Sequence, residues 1–185
     1  LFMTLIHTAE LSAVNPFALS WAANGGWVLI KFQPHDPWTG VANGPSGQPH
    51  VDLVGLLDPA AGDPAEFDAN TAAHDVWMDW LDQIADGLDD LQQAGVTVLW
   101  RPLSEMNSAA HWHSRQPHEA WMALWRHQFD YFQTLGLKNL IWVFESDSVA
   151  HAVVPADYYY PGDDVVDLMG HNLYDDDWVI PYELG

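Results

Sequence analysis

The chain has no cysteine, which excludes disulfides and thiolate metal sites while leaving the compartment open. Basic residues are almost as scarce: five Lys and Arg stand against 26 Asp and Glu, a formal charge of −21. Such a surface repels phosphate backbones, so nucleic acid is not expected as a partner. No Lys/Arg-flanked apolar segment opens the chain, and no run of about 18 apolar residues occurs. Neither a signal peptide nor a membrane segment is therefore expected within it. The chain opens on Leu1 without an initiator Met and stops at Gly185, and reads as an excerpt of a longer protein. It has no internal repeat and no low-complexity tract.

What is present begins with tryptophan. Eleven of them in 185 residues exceed what one core needs, and the surplus near strand ends is expected to form flat platforms for ligands such as sugar rings. The acidic residues are mostly Asp and the only lysines are Lys31 and Lys138. That bias fits either adaptation to high salt or an ordinary acidic soluble enzyme.

Apolar runs alternate with helical patterns. Leu1 to Ile6, Trp27 to Phe32, Val96 to Trp100, Leu140 to Phe144 and Val165 to Met169 read as strands. Asn15-Pro16 places a cap and a first-turn proline before a helix closed by Gly25-Gly26. Val76, Trp77, Trp80, Leu81, Ile84, Leu88 and Leu91 recur at helical spacing, and Gly95 ends that helix. Pro117 opens another helix with Trp121, Leu124, Trp125, Phe129 and Phe132 on its inner side, stopped at Gly136. Residues 33 to about 70 are rich in Pro, Gly and Asp, too long for an ordinary connection, and are expected to be functional or an insertion. The near-continuously apolar strands predict an α/β fold with a parallel sheet covered by helices. A (β/α)₈ barrel and an open doubly wound sheet both satisfy that pattern. No Gly-rich phosphate loop follows any strand, and polar and aromatic residues collect after the strands, which favours the barrel.

The third run ends in Trp100-Arg101-Pro102-Leu103-Ser104-Glu105-Met106-Asn107. A strand fixes a carboxyl at its end while apolar surroundings raise its pKa, which suits Glu105 to general acid work. The structural alternative is an ion pair with Arg101. His111-Trp112-His113 aims two rings to one side and, with His118 or an Asp, is a candidate zinc site; no metal is expected.

Arg101-Pro102-Leu103-Ser104-Glu105-Met106-Asn107 resembles the Arg-Pro-x-His-Glu-Met-Asn-Gly pattern of glycoside hydrolase family 26, best known for endo-β-1,4-mannanases. Gln33-Pro34-His35-Asp36-Pro37-Trp38-Thr39-Gly40, Gly136 to Val143, Tyr160 to Asp167 and Tyr174-Asp175 are similar to further family segments in the same order. The resemblance spans roughly residues 27 to 178. It implies a TIM barrel of which about strands two to six are present, so that residues 1–185 form part of a single catalytic barrel. It implies a retaining glycosidase with Glu105 as acid/base, acting on a β-linked polysaccharide, mannan first and β-1,3/1,4-glucan or xylan next, with no cofactor. The nucleophile, on strand seven in the family, is expected beyond Gly185, so these residues alone are expected to be inactive. Substrate contacts are expected from Arg101, Asn107, Trp112, Tyr174, Gln33 and Glu145. The chain departs from the pattern at Ser104 (His in the family), at Phe32-Gln33 (Trp-His) and after Asn107, where Ser108-Ala109-Ala110-His111-Trp112-His113 stands in place of Gly-x-Trp-x-Trp-Trp. Those departures keep open a non-catalytic carbohydrate-binding relative. Since polymers do not enter cells, the parent is expected to be secreted or held at the cell surface.

Overall fold

Five short apolar runs pair edge to edge in the order in which they occur. In the computed structural model, which describes residues 2–5, 10–41, 46–148 and 151–172, they form β1 (Phe2–Leu5), β2 (Val28–Phe32), β3 (Val98–Pro102), β4 (Leu140–Ser146) and β5 (Leu168–His171). Every neighbouring pair is parallel, and the order across the sheet is β1-β2-β3-β4-β5. A doubly wound sheet reverses its strand order and opens a nucleotide crevice at the reversal. No reversal occurs among the described strands, so the winding is that of a barrel wall.

Parallel neighbours require crossovers. The first three are supplied by α1 (Glu10–Ala23), by α2 (Leu53–Leu57) with α3 (Phe67–Gln93), and by α4 (His118–Thr134), and the connection from β4 to β5 carries the 3₁₀ turn Ala156–Tyr159. Sequence expectations about element boundaries are corrected here. α1 starts at Glu10, so Pro16 lies inside it and Asn15 is not its cap. Asn15 is instead buried and donates from Nδ2 to the Gly87 carbonyl at 2.8 Å, tying α1 to α3. Beyond residue 46 the long Pro-, Gly- and Asp-rich stretch carries regular structure of its own. Asp52 caps α2 by accepting from the Gly55 N–H at 3.0 Å, and α3 begins nine residues before Val76. β5 likewise starts at Leu168, three residues later than Val165, whose carbonyl is occupied by the Trp125 indole N–H at 3.1 Å.

Side chains alternate across a strand, and here the two faces differ sharply. Val28, Ile30, Phe32, Val98 and Trp100 turn outward under the helices and are buried. Phe32 stacks on Trp100 at 5.9 Å and on Trp77 of α3 at 6.3 Å, and Trp125 of α4 meets Trp142 of β4 at 5.6 Å. Trp77, Trp100, Trp112, Trp121, Trp125 and Trp142 are among the most deeply buried side chains. Much of the tryptophan surplus is therefore core: these rings fill the wide gap between sheet and helices, each pair adding about 0.5–1.5 kcal/mol beyond its buried area. The opposite face carries Lys31, Arg101 and Glu145, with Lys31 and Arg101 in direct register. Charge on that face sets up the site at the strand ends.

Candidate active site

The polypeptide leaves β3 through two backbone contortions. Leu103 has φ +49° and Glu105 φ +63°. A non-glycine residue pays about 1–2 kcal/mol for the left-handed region, and such strain persists only where the surroundings hold it. The Glu105 N–H donates to the Glu145 carbonyl of β4 at 3.0 Å. Its own carbonyl accepts from the Ser108 and Ser114 hydroxyls, both at 3.0 Å. The main chain is thus clamped on both sides of the side chain.

The Glu105 side chain, 8% exposed, sits in a polar cage. Lys31 Nζ lies 3.6 Å from Oε1, the Asn172 amide donates to that oxygen, and His111 Nε2 lies 2.9 Å from Oε2. Beside it, Arg101 Nε is 2.7 Å from Glu145 Oε2. Burial pushes the Glu145 carboxyl above its ordinary range, against the pull of Arg101 and Lys31. Gln33, buried after β2, brings its Nε2 to 2.6 Å from His111 Nε2. The C-terminal ends of β2, β3, β4 and β5 thus converge on one carboxyl. Behind it, His113 is buried against His111, rings parallel at 5.4 Å, and burial holds its pKa well below that of an ordinary histidine.

The expected site residues separate into those the fold brings to the carboxyl and those it does not. Arg101, Gln33 and Glu145 line the charged interior around Glu105. Trp112 is a correction: its ring is fully buried, its indole N–H donates to the Pro34 carbonyl at 3.0 Å, and it packs edge-on against Trp38. A ring so enclosed anchors two loops and offers no face to a sugar. Asn107 is also committed to the fold, its Oδ1 accepting from the Asp147 N–H at 2.8 Å and its Nδ2 donating to the Val154 carbonyl at 3.4 Å. It nonetheless borders a cleft of about 450 Å³ shared with Asp147, Val153, Val154 and His171. Tyr174 lies outside the described residues. No group of three or more His, Asp or Glu suited to a metal occurs among the described residues.

Three contacts of Glu105 were not anticipated from sequence. Lys31 carried a signal, as one of two lysines in an acidic chain and the only charge in an apolar strand. His111 stands in the sequence only as part of the candidate zinc site, and Asn172 only as one of the polar residues that follow the last apolar run.

A parallel, sequentially wound β/α wall with a caged carboxyl at the strands' C-terminal ends is part of a (β/α)₈ barrel. The chain belongs to glycosyl hydrolase family 26, whose profile matches residues 4–181. It is 29% identical over 183 residues to a mannan endo-1,4-beta-mannosidase of Bacillus subtilis, covering 91% of this chain and 47% of that protein. Over 110 residues it is 40% identical to mannan endo-1,4-beta-mannosidase A and B of Caldalkalibacillus mannanilyticus, covering 55% of this chain and 21% of that one. The solved Bacillus subtilis mannanase man26 superposes with a TM-score of 0.74 at 27% identity, covering 88% of this chain and 48% of that chain. The chain thus spans about half the length, or less, of these relatives.

Proposed function

We propose that this chain is part of the catalytic barrel of an endo-acting glycoside hydrolase that cleaves β-1,4-linked mannan with retention, outside the cell. The observation that carries the reading is Glu105, held in a strained backbone at a strand end and caged by Lys31, His111 and Asn172. In a retaining glycosidase one carboxyl first protonates the departing glycosidic oxygen and then takes a proton from water, while a second attacks the anomeric carbon from about 5 Å away. Glu105 takes the acid/base role. The nucleophile comes from a strand outside the described residues. Once Glu105 has given up its proton, Lys31 stabilises the carboxylate that remains, readying it to act as base. Arg101 and Glu145 form the charged floor that keeps Lys31 and the β3 end in place, and they and Gln33 are placed to meet sugar hydroxyls. The names of the mannanase relatives support mannan as the substrate.

The test uses the full-length protein on manno-oligosaccharides. Glu105→Ala lowers kcat/KM by about 10²–10⁴-fold, and azide restores turnover of an aryl mannoside bearing a good leaving group. A Glu105→Ala enzyme with normal activity would refute the assignment, and a parent protein that binds mannan without cleaving it would make this a binding relative.

A further inference from the structure

The carboxyl of Glu105 has a second proton-bearing group on its own loop. His111 Nε2 lies 2.9 Å from Glu105 Oε2 and 2.6 Å from Gln33 Nε2. The ring is stacked flat on buried His113, at 5.4 Å and 13° between planes, so its direction is fixed. An imidazole nitrogen bears either a proton or a lone pair. With the proton, Nε2 donates to a Glu105 carboxylate; without it, Nε2 accepts from the Glu105 acid or from the Gln33 amide. Gln33 suits both conditions, because a half-turn of its amide exchanges the N–H₂ for the oxygen, which is buried and without a hydrogen-bond partner as it stands. Nε2 and Oε2 are therefore the two ends of one short proton path, and Gln33 tolerates the proton at either end.

We propose that His111 is a positioning residue that shares one proton with Glu105 across this contact, so that the pair, and not the carboxyl alone, sets the pH range in which the acid is loaded. This rests on Glu105 being the acid/base. The charged and titratable groups facing the pair come from each neighbouring strand. Lys31 of β2 opposes its protonation, Glu145 of β4 favours it, Arg101 of β3 is engaged by Glu145, and burial disfavours a charge on His113 behind the ring. Protons balance over the cycle: one passes from Glu105 to the departing oxygen, one returns from the attacking water, and His111 only redistributes it.

The experiment measures kcat/KM against pH for the full-length enzyme and two variants on manno-oligosaccharides. Loss of the Nε2 donor in His111→Phe makes the carboxylate harder to form, so the basic limb moves up by about one pH unit. His111→Gln keeps an N–H for the carboxylate and holds the limb near its original position. An unmoved limb in His111→Phe, with Glu105→Ala inactive, overturns the sharing and leaves the catalytic assignment standing. A fully active Glu105→Ala overturns the assignment itself. Should His111→Phe fail to fold, carboxyl-carbon NMR of the unsubstituted enzyme decides, with the Glu105 signal assigned by its loss in Glu105→Gln. Two inflections, one matching the His111 ring, support the pair; a single inflection unrelated to that ring overturns it.

Discussion

Replacing His113 by Leu is expected to change how the stability of the barrel depends on pH. Both ring nitrogens of His113 are buried without hydrogen-bond partners, and burial depresses its pKa, with His111 and Lys31 adding to the effect. A histidine depressed in the folded state contributes stability that is intact above its unfolded pKa and is lost as pH falls through that value towards the folded one. The unfolded reference is 6.5. The loss sets in as the pH drops below that reference and deepens with further acidification, by at most about 1.4 kcal/mol per pH unit. Leu is close in volume, does not titrate and removes two unsatisfied polar atoms, so the variant keeps what the parent loses. Urea unfolding of the full-length protein, followed by tryptophan fluorescence from pH 8 to 5, measures this as a difference in which all shared titrations cancel. A difference that stays constant across that range refutes the account of His113 as a buried neutral base.

Trp112→Ala should cost about 3–5 kcal/mol of stability, because the ring fills core space between two loops; a raised KM with an unchanged melting temperature would restore the sugar-platform reading. Arg101→Met leaves the buried Glu145 carboxylate without its ion pair and should cost about 3–5 kcal/mol at pH 7. Losing the arginine raises the Glu145 pKa further, so that loss should shrink as the pH is lowered and Glu145 takes up a proton, which chemical denaturation at pH 7 and pH 5 would show. With a formal charge of −21, the melting temperature should climb by about 5 °C between 0.1 and 2 M NaCl as self-repulsion is screened. A flat response removes the case for salt adaptation.

The strands and the long helices were legible because their signals are local: a short apolar run, or a heptad-like recurrence stopped by glycine. Glu105 was legible for the same reason, as a carboxyl placed immediately after such a run. What escaped depended on distant partners. Pro16 reads as a first-turn proline until α1 is seen to extend back to Glu10 to bury Leu11 beside Gly87. Trp112 reads as a platform because composition records a ring near a strand end and not the Pro34 carbonyl that receives its N–H. The cage of Glu105 joins residues 6, 67 and 74 positions away from it, and no spacing rule encodes such a meeting.

The amide of Glu105 is pinned by a carbonyl of β4, 40 residues further along the chain. While the protein is being synthesised, β3 can pair with β2 as soon as it emerges, since each strand docks beside its predecessor. The Glu105 backbone cannot reach its final conformation until β4 has also left the ribosome and paired. Its side-chain cage closes later still, when Asn172 arrives after β5. The scaffold is thus laid down from one edge while the loop after β3 stays unformed, and a nascent chain stalled before residue 145 would carry the first strands of the wall with a relaxed loop around Glu105.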